Sequence, residues 1–127
     1  MIFEKLKTEN VRIALIGASN DKQKFGNKIY IDLKSKGYNI LPINPKEKFI
    51  EGDKAYAALN EMDDVPDIVN FVVPPNIAMK VAKEAVNLGI EYLWFQPGSE
   101  SQELENWLKN TKGIKYLINS CIMVDTI

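Results

Sequence analysis

Short apolar runs alternate with amphipathic stretches along the whole chain, and that alternation leaves few folds open. The first run, Val11-Arg-Ile-Ala-Leu-Ile16, is mostly aliphatic and is closed by Gly17. Continuous rather than alternating hydrophobicity marks a strand buried on both faces, as in a parallel sheet. Further runs follow at Asn39–Ile43, Ile68–Val73, Glu91–Phe95 and Ile114–Ile118. Helical patterns separate them. Phe25, Ile29 and Leu33 recur at four-residue spacing ahead of Gly37, a C-cap signal. Asn76 can cap a helix whose Ile77, Val81, Ala85 and Leu88 share one face, with Gly89 as terminator. Ser99 and Gln102 stand at capping-box spacing before Leu104 and Leu108. Ala55–Met62 reads as a short helix ending before Pro66, and Met1–Asn10 as a lead-in helix. Pro42 lacks a ladder donor and belongs where that donor is unneeded. Strands alternating with helices imply right-handed crossovers. The expectation is an α/β fold over residues 1–127: one Rossmann-like, doubly wound domain, its mostly parallel sheet of about five strands covered by helices on both faces.

Composition narrows the function. The formal net charge is −1 and the lysines are scattered, so no electrostatic footprint for nucleic acid is present. No apolar run approaches the ~20 residues that span a bilayer. The first ten residues lack the apolar core of a signal peptide, and Cys121 is alone, so a cytoplasmic protein without a membrane partner is expected. There is no histidine. That excludes Ser-His-Asp and Cys-His catalysis, a phosphohistidine intermediate and most zinc chemistry. Asp63, Asp64 and Asp67 read as solvated loop acids rather than a metal site. Trp94 and Phe95 read as core, Trp107 as a helix-to-sheet contact or dimer surface, and Cys121 as a small buried hydrophobe rather than a reactive thiol.

Ligands of open parallel sheets bind outside the carboxyl ends of the strands, where the strand order reverses. Four loops converge there in this reading: Gly17–Gly26, Asn44–Lys48, Val73–Asn76 and Gln96–Ser99. The first offers a glycine for close approach, the polar side chains of Ser19 and Asn20, the charges of Lys22 and Lys24, and the N-terminus of the following helix, a ready seat for phosphate. It matches neither the G-x-G-x-x-G fingerprint nor a P-loop. The second strand ends in Asn44-Pro45-Lys46, without the acid that holds a ribose diol in NAD sites. Lys46 and Lys48 instead suit an additional phosphate near the ribose, as the 3′-phosphate of coenzyme A or the 2′-phosphate of NADP would present.

Gly17-Ala18-Ser19, Asn44-Pro45-Lys46, Val73-Pro74-Pro75, Trp94-Phe95-Gln96-Pro97-Gly98 and Asn119-Ser120-Cys121-Ile122 follow one another in an order that resembles the small stand-alone CoA-binding domain proteins, relatives of the N-terminal domain of the succinyl-CoA synthetase α subunit. The resemblance runs from about Val11 to the C-terminus. It implies a fold that binds coenzyme A or an acyl-CoA. Gly17, Ala18, Ser19, Lys24, Phe25, Gly26 and Asn27 would hold the pyrophosphate. Asn44, Pro45 and Lys46 would lie near the adenosine phosphate, Val73 and Pro74 beside the adenine or ribose, and Gln96 and Gly98 at the ligand's other end. Synthetase chemistry depends on a second domain with a catalytic histidine, so a non-catalytic binding module is expected. The alternative is an NADP- or NAD-binding enzyme or redox-sensing domain on the same scaffold. A homodimer or a partner protein stays open.

Overall fold

Five strands form one parallel sheet in a computed structural model of the protein, which describes residues 1–126; Ile127, the last residue of the expected unit, lies outside the described residues. The strands of this sheet are β1 (Arg12–Ile16), β2 (Asn39–Ile43), β5 (Ile68–Phe71), β6 (Tyr92–Phe95) and β7 (Lys115–Leu117). A short antiparallel hairpin, β3 (Phe49–Ile50) and β4 (Asp53–Lys54), stands apart from them. The helices are α1 (Ile2–Leu6), α2 (Phe25–Ser35), α3 (Pro75–Asn87), α4 (Gln102–Lys109) and α5 (Ile122–Asp125). The sheet order is β2-β1-β5-β6-β7. The chain therefore winds one way from β1 to β2 and the other way from β1 to β5, and the crevice between β1 and β5 is the switch point.

Side chains alternate across the sheet and divide the interior in two. Ala14, Ile16, Val69, Phe71, Leu93 and Phe95 face α3 and α4. Ile13, Leu15, Ile68 and Trp94 face α1, α2 and α5. Helices thus cover both faces, as the sequence pattern predicts. Burying each large apolar side chain contributes about 1.5–3 kcal/mol, so the two layers hold the sheet from both sides.

Several local expectations are corrected. The stretch Ala55–Met62 is not a helix beyond the single 3₁₀ turn Leu59–Glu61. Its backbone is committed elsewhere: Tyr56 N–H donates to Pro42 O and Asn44 N–H donates to Tyr56 O, both at 2.9 Å. Tyr56 thereby covers the outer edge of β2. The carbonyl of Pro42 points outward, so its ring nitrogen, which cannot donate, faces that edge rather than β1.

The cap of α3 is Pro74, with Pro75 at the first helical position, and not Asn76. The buried stripe of α3 is Ala78, Ala82 and Ala85, whereas Ile77 is 42% exposed. Small residues bring the helix close to the sheet, where Phe71 and Phe95 stack with ring centroids 4.4 Å apart. Ala85 is buried as expected, and Val81 and Leu88 pack half-buried against the same core, so of the expected face only Ile77 falls outside. For α4 the cap is Ser101, which accepts from Leu104 N–H at 3.1 Å, and not Ser99. Leu104 and Leu108 are buried as expected.

Because Ala82 is fully buried against this close sheet, Ala82→Leu is expected to destabilise by about 2–3 kcal/mol through overpacking. Urea denaturation would show the midpoint fall; an unchanged midpoint would contradict the close approach.

Candidate functional site

The segment between β1 and α2 is shaped by two glycines that touch. Gly17 leaves β1 with a φ of +96°, a conformation that disfavours a side chain. A Cβ there would meet Val72 O at 2.4 Å across the switch point. In the first turn of α2, a Cβ on Gly26 would lie 2.0 Å from Gly17 O. The chain thus leaves the sheet, travels around the loop and returns to contact its own point of departure. A Cβ at either place would collide with backbone, so α2 can begin this close to the strand end only because both residues are glycine.

Two asparagines tie the loop down. Asn44 Nδ2 donates to Ala18 O at 2.9 Å, and Asn27 Nδ2 donates to Ser19 O at 2.9 Å. Asn44 Oδ1 also accepts from Lys46 N–H at 2.8 Å, closing a turn that sets where Lys46 starts. The loop carbonyls are therefore turned toward the protein. The N–H groups of Ser19, Phe25 and Gly26 find no acceptor among the described residues. Unpaired amides at the start of a helix, with its positive dipole end, form an anion-binding arrangement. Lys24 occupies the N-cap of α2, and neither Lys24 nor Lys46 joins an ion pair among the described residues. Phe25 presents 61% of its surface beside them.

The hairpin β3–β4, which the sequence pattern does not announce, closes over one side of this loop. Asn20 Nδ2 donates to Phe49 O, and Glu51 N–H donates to Asn20 Oδ1, both at 2.9 Å. The Glu51 carboxylate accepts from Asn27 Nδ2 at 2.8 Å and from Lys22 Nζ at 3.0 and 3.2 Å. Lys22 first, then Asn27, holds the Glu51 carboxyl below its ordinary range. On the other strand Asp53 bonds both Lys34 Nζ and the Tyr30 hydroxyl. These two lower the Asp53 carboxyl, while burial, then Asp53, raises the Tyr30 phenol. Ile50 is fully buried and plugs the hairpin into the core beneath α2. The only sequence sign of this element is Glu51-Gly52 between Ile50 and Asp53, whose positive φ values of 49° and 83° suit a two-residue hairpin turn.

The remaining expected positions lie at the same edge with different commitments. Val73 N–H donates to Ser99 Oγ at 3.1 Å, and that hydroxyl donates to Phe71 O, so Ser99 braces the Val73–Pro74 segment. Gly98 N–H donates to Glu100 Oε2 at 3.0 Å. Gln96 is 3% exposed, and its side-chain oxygen points inward, accepting from Asn70 Nδ2 at 3.1 Å and from Ile122 N–H at 2.9 Å. It fastens the C-terminal segment to β6. Trp94 adds to that fastening by donating to Ser120 O at 2.9 Å. Cys121 is only partly buried, short of the expected small buried hydrophobe, and stands at the N-cap of the short α5. Asp67 sits at the opposite edge, accepting from Arg12 N–H at 2.8 Å. A hollow of about 440 Å³, lined by Phe3, Leu6, Tyr38 and Asn39 among others, also lies at that amino edge, away from the loops.

Gly26→Ala would drive a methyl group into the Gly17 carbonyl, and a loss of about 3 kcal/mol or more is expected, because backbone on both sides must move. A thermal or urea midpoint equal to that of the parent would contradict the contact.

Comparison with known proteins fits this geometry. Residues 11–126 match the model of a family described as a CoA binding domain. The chain is 31% identical over 122 residues to protein YneT of Bacillus subtilis, covering 96% of this chain and 90% of that protein. A solved structure of a conserved hypothetical protein from Pyrococcus furiosus superposes with a TM-score of 0.86 at 47% identity, over 91% of this chain and 99% of the other. The α subunit of an ADP-forming acetate–CoA ligase II from Pyrococcus furiosus is 34% identical over 80 residues, 62% of this chain. That match spans only 18% of the ligase subunit's length. With nearly its whole described length matched, the chain belongs to the CoA binding domain family.

Proposed function

We propose that residues 1–127 act as one module that binds coenzyme A or an acyl-CoA without performing chemistry on it. The observation that carries this reading is the loop closed by Gly17 and Gly26. Its carbonyls are turned inward by Asn27 and Asn44, and its amides at Ser19, Phe25 and Gly26 are left for an anion at the switch point. A pyrophosphate suits such a seat, since it presents several acceptor oxygens and needs backbone at close range. In this reading Gly17, Ala18, Ser19, Lys24, Phe25 and Gly26 meet the pyrophosphate, and Asn27 and Asn44 brace them. Pro45 and Lys46 meet the adenosine phosphate, Val73 and Pro74 flank the nucleoside, and Gly98 lies toward the pantetheine arm. Gln96 serves by holding the C-terminal segment in place.

The end of β2 favours a ligand with a phosphate on the ribose. Asn44-Pro45-Lys46 carries no acid for a free diol, and Lys46 has no carboxylate partner within 4 Å among the described residues. The same feature supports NADP as the second reading. The ligase relative's reaction is not part of the proposal, because the chain contains no histidine to take the catalytic part.

Calorimetric titration tests both readings. Coenzyme A is expected to bind, and to bind tighter than NADPH. Lys46→Ala is expected to weaken coenzyme A by roughly tenfold, about 1.4 kcal/mol, while leaving dephospho-coenzyme A almost unchanged. Failure of the folded protein to bind coenzyme A at millimolar concentration would overturn the proposal, and a tenfold preference for NADPH would reverse the two readings.

A further inference from the structure

Two side-chain donors at the loop, Lys22 and Asn27, are already occupied by one anion. Asn27 lies in the first turn of α2, is 2% exposed, and has two amide hydrogens. One goes to Ser19 O at 2.9 Å and the other to Glu51 Oε2 at 2.8 Å, so nothing further can take a bond from it. Lys22 Nζ reaches the same carboxylate at 3.0 and 3.2 Å. Helix α2 carries no acid of its own in its first turn. A negative charge is favoured at that position by the helix dipole, and Glu51 supplies it from the hairpin.

We propose that the Glu51 carboxylate is a resident anion of the loop, seated between Lys22 and Asn27, which a phosphate-bearing ligand must displace. The inference rests on the phosphate-binding reading above and adds a gate to it. The displacement needs only the side chain to swing out. The hairpin itself stays anchored by the buried Ile50, by Asp53 on Tyr30 and Lys34, and by Glu51 N–H on Asn20 Oδ1. An incoming phosphate takes over both donors, whereas a neutral ligand leaves them unrecovered. A carboxylate that stayed in place would face the phosphate at close range and repel it. Glu51 therefore sets a threshold that only a sufficiently charged ligand passes. Because Lys22 is exposed, its ion pair with Glu51 adds little to folding, and a glutamine at this position keeps an oxygen for Asn27 Nδ2, so removing the charge leaves the fold intact.

The test compares the parent with Glu51→Gln and Glu51→Gly, titrated with coenzyme A and, separately, with inorganic pyrophosphate. Gln keeps the shape and removes the charge; Gly removes the side chain and accepts the positive φ of 49°. Both variants are expected to bind about fivefold tighter than the parent, the scale of one close like-charge repulsion in water. If coenzyme A binds the parent and the variants equally, or the variants more weakly, Glu51 is a brace and the gate is overturned while the coenzyme reading stands. If coenzyme A binds none of them but pyrophosphate binds the variants tighter, the gate stands and the coenzyme reading falls. Absence of binding of either ligand to all three proteins overturns both.

Discussion

The contact between Gly26 and the carbonyl of Gly17 is the constraint on which the rest of the carboxyl edge depends. It places the start of α2 directly above the end of β1, at the crevice where the sheet order reverses. Once that closure is made, the loop between has little freedom. Asn27 and Asn44, arriving from α2 and from the end of β2, capture its carbonyls. Two sheet-derived loops and one helix are thereby locked into a single unit, and the amides of Ser19, Phe25 and Gly26 are left without an acceptor among the described residues. The capacity to hold an anion follows from backbone geometry first and from lysine charge second.

Much of this was legible in the sequence, and the reasons differ from element to element. Val11–Ile16 and Ile68–Val73 declare themselves as buried strands because a central parallel strand has no polar face to show. The loop glycines were visible as residues, yet their mutual contact was not, since it joins positions nine apart through a turn whose path no local pattern specifies. The hairpin escaped because each strand has only two residues, too few for any period to register. Glu51 was hidden with it. On α3 the packed face was legible at Val81, Ala85 and Leu88, but Ala78 and Ala82 were passed over for Ile77 because alanine carries little hydrophobic weight, although close packing against the stacked Phe71 and Phe95 rewards small size. Gln96 read as ligand-facing and Ser99 as a helix cap from their places in the chain, whereas the bonds of Ser99 to Phe71 O and of Gln96 to Ile122 N–H make both of them braces.

The cations around the site differ in their partners. Lys22 is paired with Glu51, whereas Lys24 and Lys46 join no ion pair among the described residues. Glu51 sits on a hairpin whose other acid, Asp53, is spent on Tyr30 and Lys34. The hairpin thus has one acid that anchors and one that guards. Family membership points to the coenzyme, and the loop amides with the unpaired Lys24 and Lys46 indicate how the chain would meet its phosphates.

The central claim is that the anion is held by the loop amides at the switch point, and amide chemical shifts report on it directly. Titrating coenzyme A into isotopically labelled protein should move the resonances of Ser19, Phe25, Gly26 and Lys46 most, with the amino edge silent. Shifts concentrated instead at Lys7, Gly37 and Tyr38, around the hollow at that opposite edge, would contradict the account.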